Sequence, residues 1–296
     1  MKKFLSILMA IIISVTFVSC GRENKTESCV NKNNGEKKIV AGSMAVAEML
    51  AKLDIKIVGR PSTQYGISDK IKDVPEIGLA MKPDLEKIRS LNPDVYVTSG
   101  ALQEMIGDQI KANRINAKYC DLSSYKAVKE TIKELAKEYG KEEKGEKILK
   151  EFENKEKEIL KDTNPNKKVK VMILFGAPGN FMLATEKSFA GSLIAELGGE
   201  NIASKVDTKI KGPYVPFSLE VALKENPDII FRMYHGYIDE AKKQVNEEFK
   251  RNPQWSKFKA VKEEKIYDLD PIYFGVTGDV KAMESLEKMK EYLYKK

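Results

Sequence analysis

Leu85-Glu86-Lys87-Ile88-Arg89-Ser90-Leu91-Asn92-Pro93-Asp94-Val95 and Leu219-Glu220-Val221-Ala222-Leu223-Lys224-Glu225-Asn226-Pro227-Asp228-Ile229 carry one pattern twice. Leu, Glu, Asn, Pro and Asp recur at a constant offset of 134 residues. Each copy reads as a short helix, an Asn-Pro turn in which the proline disfavours helix at the residue before it, and an apolar, β-rich run. Helix followed by strand is the returning half of a parallel βα unit. Ala41-Gly42-Ser43-Met44 and Ala190-Gly191-Ser192-Leu193 give a second echo in the same chain order. Together the echoes predict two related lobes.

The alternation continues on both sides. Strands are expected at residues 38–41, 55–59, 94–98 and 117–122, with a helix opened by Gly42-Ser43 and running to about Leu53. Further on, strands are expected at 169–175, 181–185, 229–231 and 266–269, and helices at 188–197 and 280–294. Between these halves, residues 124–163 contain no proline, and Gly140 and Gly145 are the expected interruptions. Ile148, Leu149, Phe152, Ile159 and Leu160 fall on one helical stripe. This stretch reads either as a surface helix of one domain or as a rigid strut between lobes, stopped near Asn164-Pro165. The expected architecture is α/β: two βα lobes with central, mainly parallel sheets, joined by one long helix. A ligand cleft between the lobes follows, because ligands lie at the carboxyl ends of such strands.

The amino terminus reads separately. Met1-Lys2-Lys3 is a short basic region, and residues 4–18 are almost continuously apolar. The run is short for a membrane span and ends at small residues, as a secretory signal does. Cys20 directly after Ser19 resembles a bacterial lipoprotein signal, in which Cys20 is lipidated and becomes the mature N-terminus; Phe17 departs from the usual aliphatic residue. An ordinary cleaved signal with an incidental Cys is the alternative. The expected divisions are a signal peptide (1–19), a lipidated tether (20–37), an N-terminal lobe (38–123), a helical connector including the strut (124–164) and a C-terminal lobe (165–296). The mature chain would be anchored by lipid at the extracytoplasmic face of the cell membrane.

Composition narrows the chemistry. Among 296 residues there is a single His, against 11 Met and 12 Tyr, which excludes multi-histidine zinc sites. Three Cys cannot form a disulfide framework; Cys29 reads as a bystander and Cys120 as a core thiol. The 51 Lys and Arg against 44 Asp and Glu are interleaved rather than blocked, which argues against nucleic-acid binding. Phosphate-loop, dinucleotide and nucleophile-elbow signatures are missing, so no enzymatic role is expected.

Residues 38–296 resemble the substrate-binding proteins of bacterial ABC importers of the type whose lobes are joined by one long helix. Their ligands include siderophores, cobalamin, haem and bare metal ions. His235 stands just past a C-lobe strand, in Ile229-Ile230-Phe231-Arg232-Met233-Tyr234-His235-Gly236, and Met81 stands at a comparable level of the N-lobe. A thioether and an imidazole from opposite lobes could hold an iron porphyrin; Tyr214, Tyr234 and Tyr237 are alternative oxygen ligands. The run Met81-Lys82-Pro83-Asp84, the segment leading to His235, Ala184-Thr185-Glu186-Lys187-Ser188, Phe258-Lys259-Ala260-Val261-Lys262-Glu263 and Tyr267-Asp268-Leu269-Asp270-Pro271 resemble the haem-receptor lipoproteins of the iron-regulated surface determinant (Isd) importers of Gram-positive bacteria. That resemblance implies haem as the transported ligand, with Met81 and His235 as axial ligands of its iron.

For the haem propionates, the helix opened by Gly42-Ser43 offers free backbone N–H groups, and Arg60, Ser62 and Tyr65 supply a cation and hydroxyls. Ser43 as a plain helix cap and Arg60 as a surface charge are the alternatives. Glu86 and Glu220 lie in first helical turns after the candidate caps Asp84 and Ser218, where the dipole favours a carboxylate. The resemblance gives them a further role, docking to arginines of a membrane permease. The partners expected are that ABC permease and its ATPase, the membrane through the lipid anchor, and an upstream haem donor, with the chain itself a monomer. A ferric siderophore or cobalamin receptor on the same scaffold, a haem relay protein without a permease, and a hydrolase using His235 are the other readings.

Overall fold

β-branched and aromatic runs supply the strands of two sheets. The computed structural model describes residues 37–161, 163, 168–176, 180–234 and 238–294; the signal peptide, Cys20, His235 and Tyr237 lie outside them. The N-terminal lobe holds β1 (Ile39–Ala41), α1 (Met44–Lys52), β2 (Gly78–Leu79), β3 (Lys82–Pro83), α2 (Leu85–Ser90), β4 (Val95–Ser99), α3 (Gln103–Ala112) and β5 (Ala117–Cys120). Two helices follow, α4 (Tyr125–Glu138) and α5 (Glu142–Leu160). The C-terminal lobe holds β6 (Lys170–Phe175), β7 (Met182–Ala184), α6 (Phe189–Glu196), β8 (Glu200–Asn201), β9 (Tyr214–Pro216), α7 (Leu219–Glu225), β10 (Ile229–Met233), α8 (Ile238–Arg251), α9 (Lys259–Lys262), β11 (Ile266–Asp268) and α10 (Ala282–Tyr294).

The N-lobe sheet runs β1-β4-β5, parallel throughout. The C-lobe sheet runs β11-β10-β6-β7-β9, with β8 also on β6; its β11-β10-β6 part is parallel, while β7 pairs antiparallel with both β6 and β9. Residues 55–59, expected as a strand, contribute only the bridge between Gly59 and Val40. The Ile55 amide is spent closing the end of α1 on the Leu50 carbonyl, 2.9 Å away, so little chain is left to pair.

The repeated motif folds alike in both lobes. Asp84 and Ser218 cap α2 and α7 by accepting from the amides of Lys87 (3.0 Å) and Val221 (3.4 Å). Asn92 and Asn226 both turn the chain in the left-handed region, with φ of 46° and 45°, a conformation Asn tolerates better than most residues. The Asp94 carboxylate accepts from the Lys38 amide at 2.8 Å, and Asp228 from the Lys170 amide at 3.0 Å, so each pins the start of the neighbouring strand. The second echo has no such counterpart. Ser43 is the N-cap of α1, whereas Ser192 lies inside α6, whose cap is Ser188. Gly-Ser serves as a helix start in one place and as small residues for close packing in the other.

Side chains alternate between the faces of each sheet, as a period of two requires. Ile39, Ala41, Val95 and Val97 point to one face, and Val171, Ile173, Ile229 and Phe231 join the same continuous apolar core. Val40 and Tyr96 face a second cluster behind the N-lobe sheet, while Met172, Leu174 and Ile230 face a third, built around Trp255. Trp255 stacks between Phe249 and Phe217, with centroids 4.1 and 5.6 Å away.

The connector is a helical hairpin. The chain turns at Gly140 (φ 65°), and the 19-residue α5 runs back along α4; Gly145 lies buried within α5 instead of interrupting it. Ile148, Phe152 and Ile159 bury the predicted stripe, and Lys129 on α4 pairs with Glu156 on α5 at 2.7 Å. The lobes are also tied where the chain recrosses. The Tyr125 amide donates to Ser192 Oγ at 3.0 Å, and the Gly278 amide to the Leu122 carbonyl at 2.8 Å. A Cβ on Gly278 would fall 2.5 Å from the Phe189 ring and 2.6 Å from Val128, so only glycine fits this crossing.

Candidate functional site

A cavity of ≈ 330 Å³ lies beyond the carboxyl ends of β4 and β5, walled on its other side by the C-lobe segment after β7 and the start of β9. This lies within the usual range of small-molecule pockets, about 300–1,000 Å³. The N-lobe contributes Gly100, Ala101 and Gln103 after β4, and Tyr119, Asp121, Leu122 and Ser123 after β5. Lys187, Ser188, Pro213 and Tyr214 come from the C-lobe, and Val276 and Thr277 from the segment that recrosses between lobes. Of these residues the sequence reading named Tyr214 as an alternative ligand and quoted Lys187 and Ser188 only within the run that carries the resemblance. The rule that ligands lie beyond strand ends pointed at Gly100 and Ser123 all the same, since each stands just past an expected strand.

Tyr214 stacks on Phe175 (4.5 Å, 24°), and its buried hydroxyl has no hydrogen-bond partner. Burial pushes its pKa up to about 12. It is therefore a neutral phenol at physiological pH, able to donate to a ligand oxygen. Tyr234 is committed elsewhere, its hydroxyl donating to Asp268 Oδ1 at 2.9 Å, and burial raises its pKa as well.

Met81 sits with Ala80 in the two-residue turn of the β2–β3 hairpin, whose pairs are Gly78 with Pro83 and Leu79 with Lys82. It does not line the cavity. Its side chain is 46% exposed and Leu79 is 59% exposed, an unusual placement for two large apolar residues on one short hairpin. The hairpin base is tightly held. The Ser62 amide donates to the Gly78 carbonyl and the Asp84 amide to the Ile77 carbonyl, both at 2.8 Å.

Arg60 does not offer a free cation there. Its side chain is 7% exposed, and the guanidinium donates to the carbonyls of Ile71 (2.9 Å), Pro61 (3.0 Å) and Lys72 (3.0 Å) and to Glu76 (3.0 Å). Ser62 Oγ donates to the other Glu76 oxygen at 2.7 Å. The Ser62 and Arg60 hydrogen bonds hold the Glu76 carboxyl below the usual range. Arg60 and Ser62 thus brace the loop that carries the hairpin, and the expectation of Arg60 as a propionate donor does not fit this bonding. Ser43 Oγ accepts from the Val46 amide at 3.4 Å as the cap of α1. The flanking Gly42 lies over the Tyr96 ring, where a Cβ would be 2.2 Å from Cζ. Tyr65 is exposed on the loop that follows Arg60.

Glu86 and Glu220 are exposed in the first turns of α2 and α7. Among the described residues neither carboxylate has an ion-pair partner within 4.0 Å. Both helices lead back into parallel strands, so their N-termini lie on the carboxyl-end side of each sheet. His235 and Tyr237, the remaining candidates, fall outside the described residues. No helix among the described residues is long and apolar enough to cross a membrane.

These features have close counterparts in known proteins. The high-affinity haem uptake system protein IsdE of Staphylococcus aureus (strain MRSA252) is 33% identical over 294 residues, covering 99% of this chain and 98% of that one. The crystal structure of S. aureus IsdE complexed with haem superimposes with a TM-score of 0.81 at 32% identity, over 88% of this chain and all of the other. An ABC transporter substrate-binding protein from Listeria monocytogenes EGD-e gives a TM-score of 0.82 at 34% identity, with the same coverage of this chain. The family model for periplasmic binding proteins matches residues 39–273, and with two βα lobes around one cleft the chain belongs to the periplasmic binding protein family.

Proposed function

We propose that this protein is a membrane-tethered receptor that binds haem in the interlobe cleft and delivers it to an ABC permease. The observation that carries this reading is full-length similarity to a haem uptake protein, at 33% identity, on a scaffold whose cavity lies between the lobes. Met81 and His235 are the proposed axial ligands. A braced hairpin presenting an exposed thioether suits the first role, because a ligand must be held without being buried in its own lobe. Met/His ligation gives a low-spin iron with a raised potential. The neutral phenol of Tyr214 and the amides at the start of α1 are the proposed polar contacts to the ligand, with Ser62 and Tyr65 at the rim. Glu86 and Glu220 dock the lobes on the permease, whose ATPase drives release inward, and Cys20 carries the lipid.

Titration of the purified chain with haemin tests this directly. A sharpened, shifted Soret band with low-spin visible bands is expected, and both His235→Ala and Met81→Ala should abolish the low-spin signature. Tight binding of a ferric siderophore or cobalamin with no haemin complex would overturn the reading.

A further inference from the structure

Methionine is used in two ways in this chain. Met49, Met172, Met233 and Met289 are buried, where a flexible thioether fills gaps between other side chains, and Met44, Met182 and Met283 are half-buried. Among the described residues only Met81 and Met105 are exposed, at 46% and 55%. Met105 lies on α3 and has no proposed role. The exposure of Met81 is built into its hairpin. It stands with Ala80 in the two-residue turn, and Leu79 pairs with Lys82 beneath it. At the hairpin base Gly78 adopts the left-handed region, φ 86°, where a Cβ would lie 3.2 Å from both the Asp84 nitrogen and the Lys82 carbonyl oxygen. The amides of Ser62 and Asp84 close the base by bonding the Gly78 and Ile77 carbonyls. The thioether is thereby held out of the core instead of folding into it.

An exposed thioether is the form of methionine that a peroxide reaches. The sulfur attacks one oxygen of hydrogen peroxide. An S–O bond forms, the O–O bond breaks, and the proton on the transferred oxygen passes to the departing hydroxide, which leaves as water. Sulfur loses two electrons and the peroxide gains them. The resulting sulfoxide is polar and meets a metal as a hard oxygen donor where the thioether was soft. The sulfur that peroxide attacks is also the atom an axial methionine gives to haem iron. Ligation and oxidation therefore compete for one atom.

We propose that Met81 is an oxidation site that switches the receptor: hydrogen peroxide converts the empty chain to a Met81 sulfoxide that no longer forms a low-spin haem complex, and bound haem shields the residue. The inference rests on the reading of Met81 as an axial ligand. Peroxide thus silences an empty receptor and spares a loaded one. Enzymatic reduction of the sulfoxide restores the thioether, so the change is reversible.

In the test, the haem-free chain is treated with hydrogen peroxide, the excess is destroyed with catalase, and oxidation is located by peptide mass spectrometry before haemin is added. Met81 and Met105 should each gain one oxygen while Met49 and Met172 stay reduced, and the haemin complex should lose its low-spin bands. Met105→Leu should lose them in the same way. Methionine sulfoxide reductases with dithiothreitol should bring them back, which separates oxidation from unfolding. Gallium protoporphyrin, whose metal does not turn over peroxide, should protect Met81 when bound and leave Met105 unprotected. The inference is overturned if Met81 stays reduced while Met105 is oxidised, or if Met81 is oxidised equally with and without the gallium porphyrin. Low-spin bands that persist with Met81 oxidised, or that the reductases fail to restore, also overturn it. Untreated Met81→Leu then shows which reading has failed. If it lacks the low-spin bands, Met81 remains the ligand and the oxidation switch alone falls; if it keeps them, the ligand reading falls and the inference with it.

Discussion

In the N-terminal lobe, β4 runs from the pinned Asp94 into a tight turn at Gly100 and on into α3; in the C-terminal lobe, β10 runs from the pinned Asp228 into Tyr234 and the ion network on Asp268. The incoming halves match down to the φ of one asparagine, and the outgoing halves share nothing. The part of the unit away from the cleft has one task, to join a helix to a strand, and one solution serves both lobes. Beyond the strand ends, where only the N-lobe copy reaches the cavity, the two have parted. Each lobe nevertheless holds one sheltered arginine close to a proposed axial ligand in the sequence, Arg60 in the loop before Met81 and Arg232 before His235. Arg60 leans mainly on backbone carbonyls, Arg232 on side chains.

The largest effect is expected where the arginine braces differ. Arg60→Ala strips a partner from three carbonyls and from the exposed Glu76, at a cost of about 3 kcal/mol, because the sheltered carbonyls are left without a donor. Arg60→Lys should rescue little, since an ammonium cannot reproduce the planar fork. Denaturant unfolding measures both, and a loss below that of an ordinary surface substitution would break the parallel between the two braces.

The pinned aspartates come next. Asp228→Ala should cost about 2 kcal/mol, in the range for hydrogen bonds to charged groups, and Asp94→Ala about 1 kcal/mol, the worth of an ordinary hydrogen bond. The difference arises because Asp228 is less exposed and also pairs with Lys259 at 2.7 Å. Burial alone would raise the Asp228 pKa, yet the bonds from Lys259 and the Lys170 amide hold it below the ordinary carboxylate range. The unfolded chain therefore binds the proton more readily, and stability rises with pH across that window. The deficit of Asp228→Ala should be full at neutral pH and vanish as acid protonates the folded wild type. Equal losses at both positions would show the lobes to be more alike than their surroundings imply.

A finer probe uses the left-handed asparagines. Asn92→Gly should be neutral within about 0.5 kcal/mol, because glycine accepts this conformation freely. Asn226→Gly should lose about 1 kcal/mol, since Asn226 Oδ1 also accepts from the Lys259 amide at 2.9 Å. Thermal midpoints of the two variants decide it. Smallest of all is Asp279, next to the crossing glycine, whose pKa burial raises. Its charged form is the disfavoured one when folded, so stability is lost as pH rises through that raised value. Asp279→Asn keeps an acceptor for the Lys281 amide and should gain a few tenths of a kcal/mol at neutral pH and nothing in acid.

The scaffold was legible in the sequence wherever one residue type does one job. Asn-Pro-Asp ends a helix and caps a strand by local chemistry, so its repetition gave the lobes away. Gly-Ser does several jobs, and its repetition misled. Ile55 to Gly59 has strand composition, but a tertiary demand, the closing of α1, claimed its first amide. Arg60 looked free because its partners are backbone carbonyls at Ile71 and Lys72, and a carbonyl leaves no mark in a sequence. Met81 was put forward through the Met-Lys-Pro-Asp run, whereas its hairpin and its exposure depend on a loop whose brace could not be foreseen. The cavity floor was accessible by rule, from the ends of strands, but not by residue type.

The continuous apolar core gives the molecule a property that its two-lobed outline conceals. Ile39 and Val97 of one lobe, Tyr125, Ile148 and Phe152 of the connector, and Val171 and Phe231 of the other lobe belong to a single packed body. Neither lobe could be excised as a stable fragment, since each would expose the face it shares with the connector. The protein should melt as one cooperative unit, and a mutation deep in the helical hairpin should be felt as fully by the two walls of the cavity as one placed in either sheet.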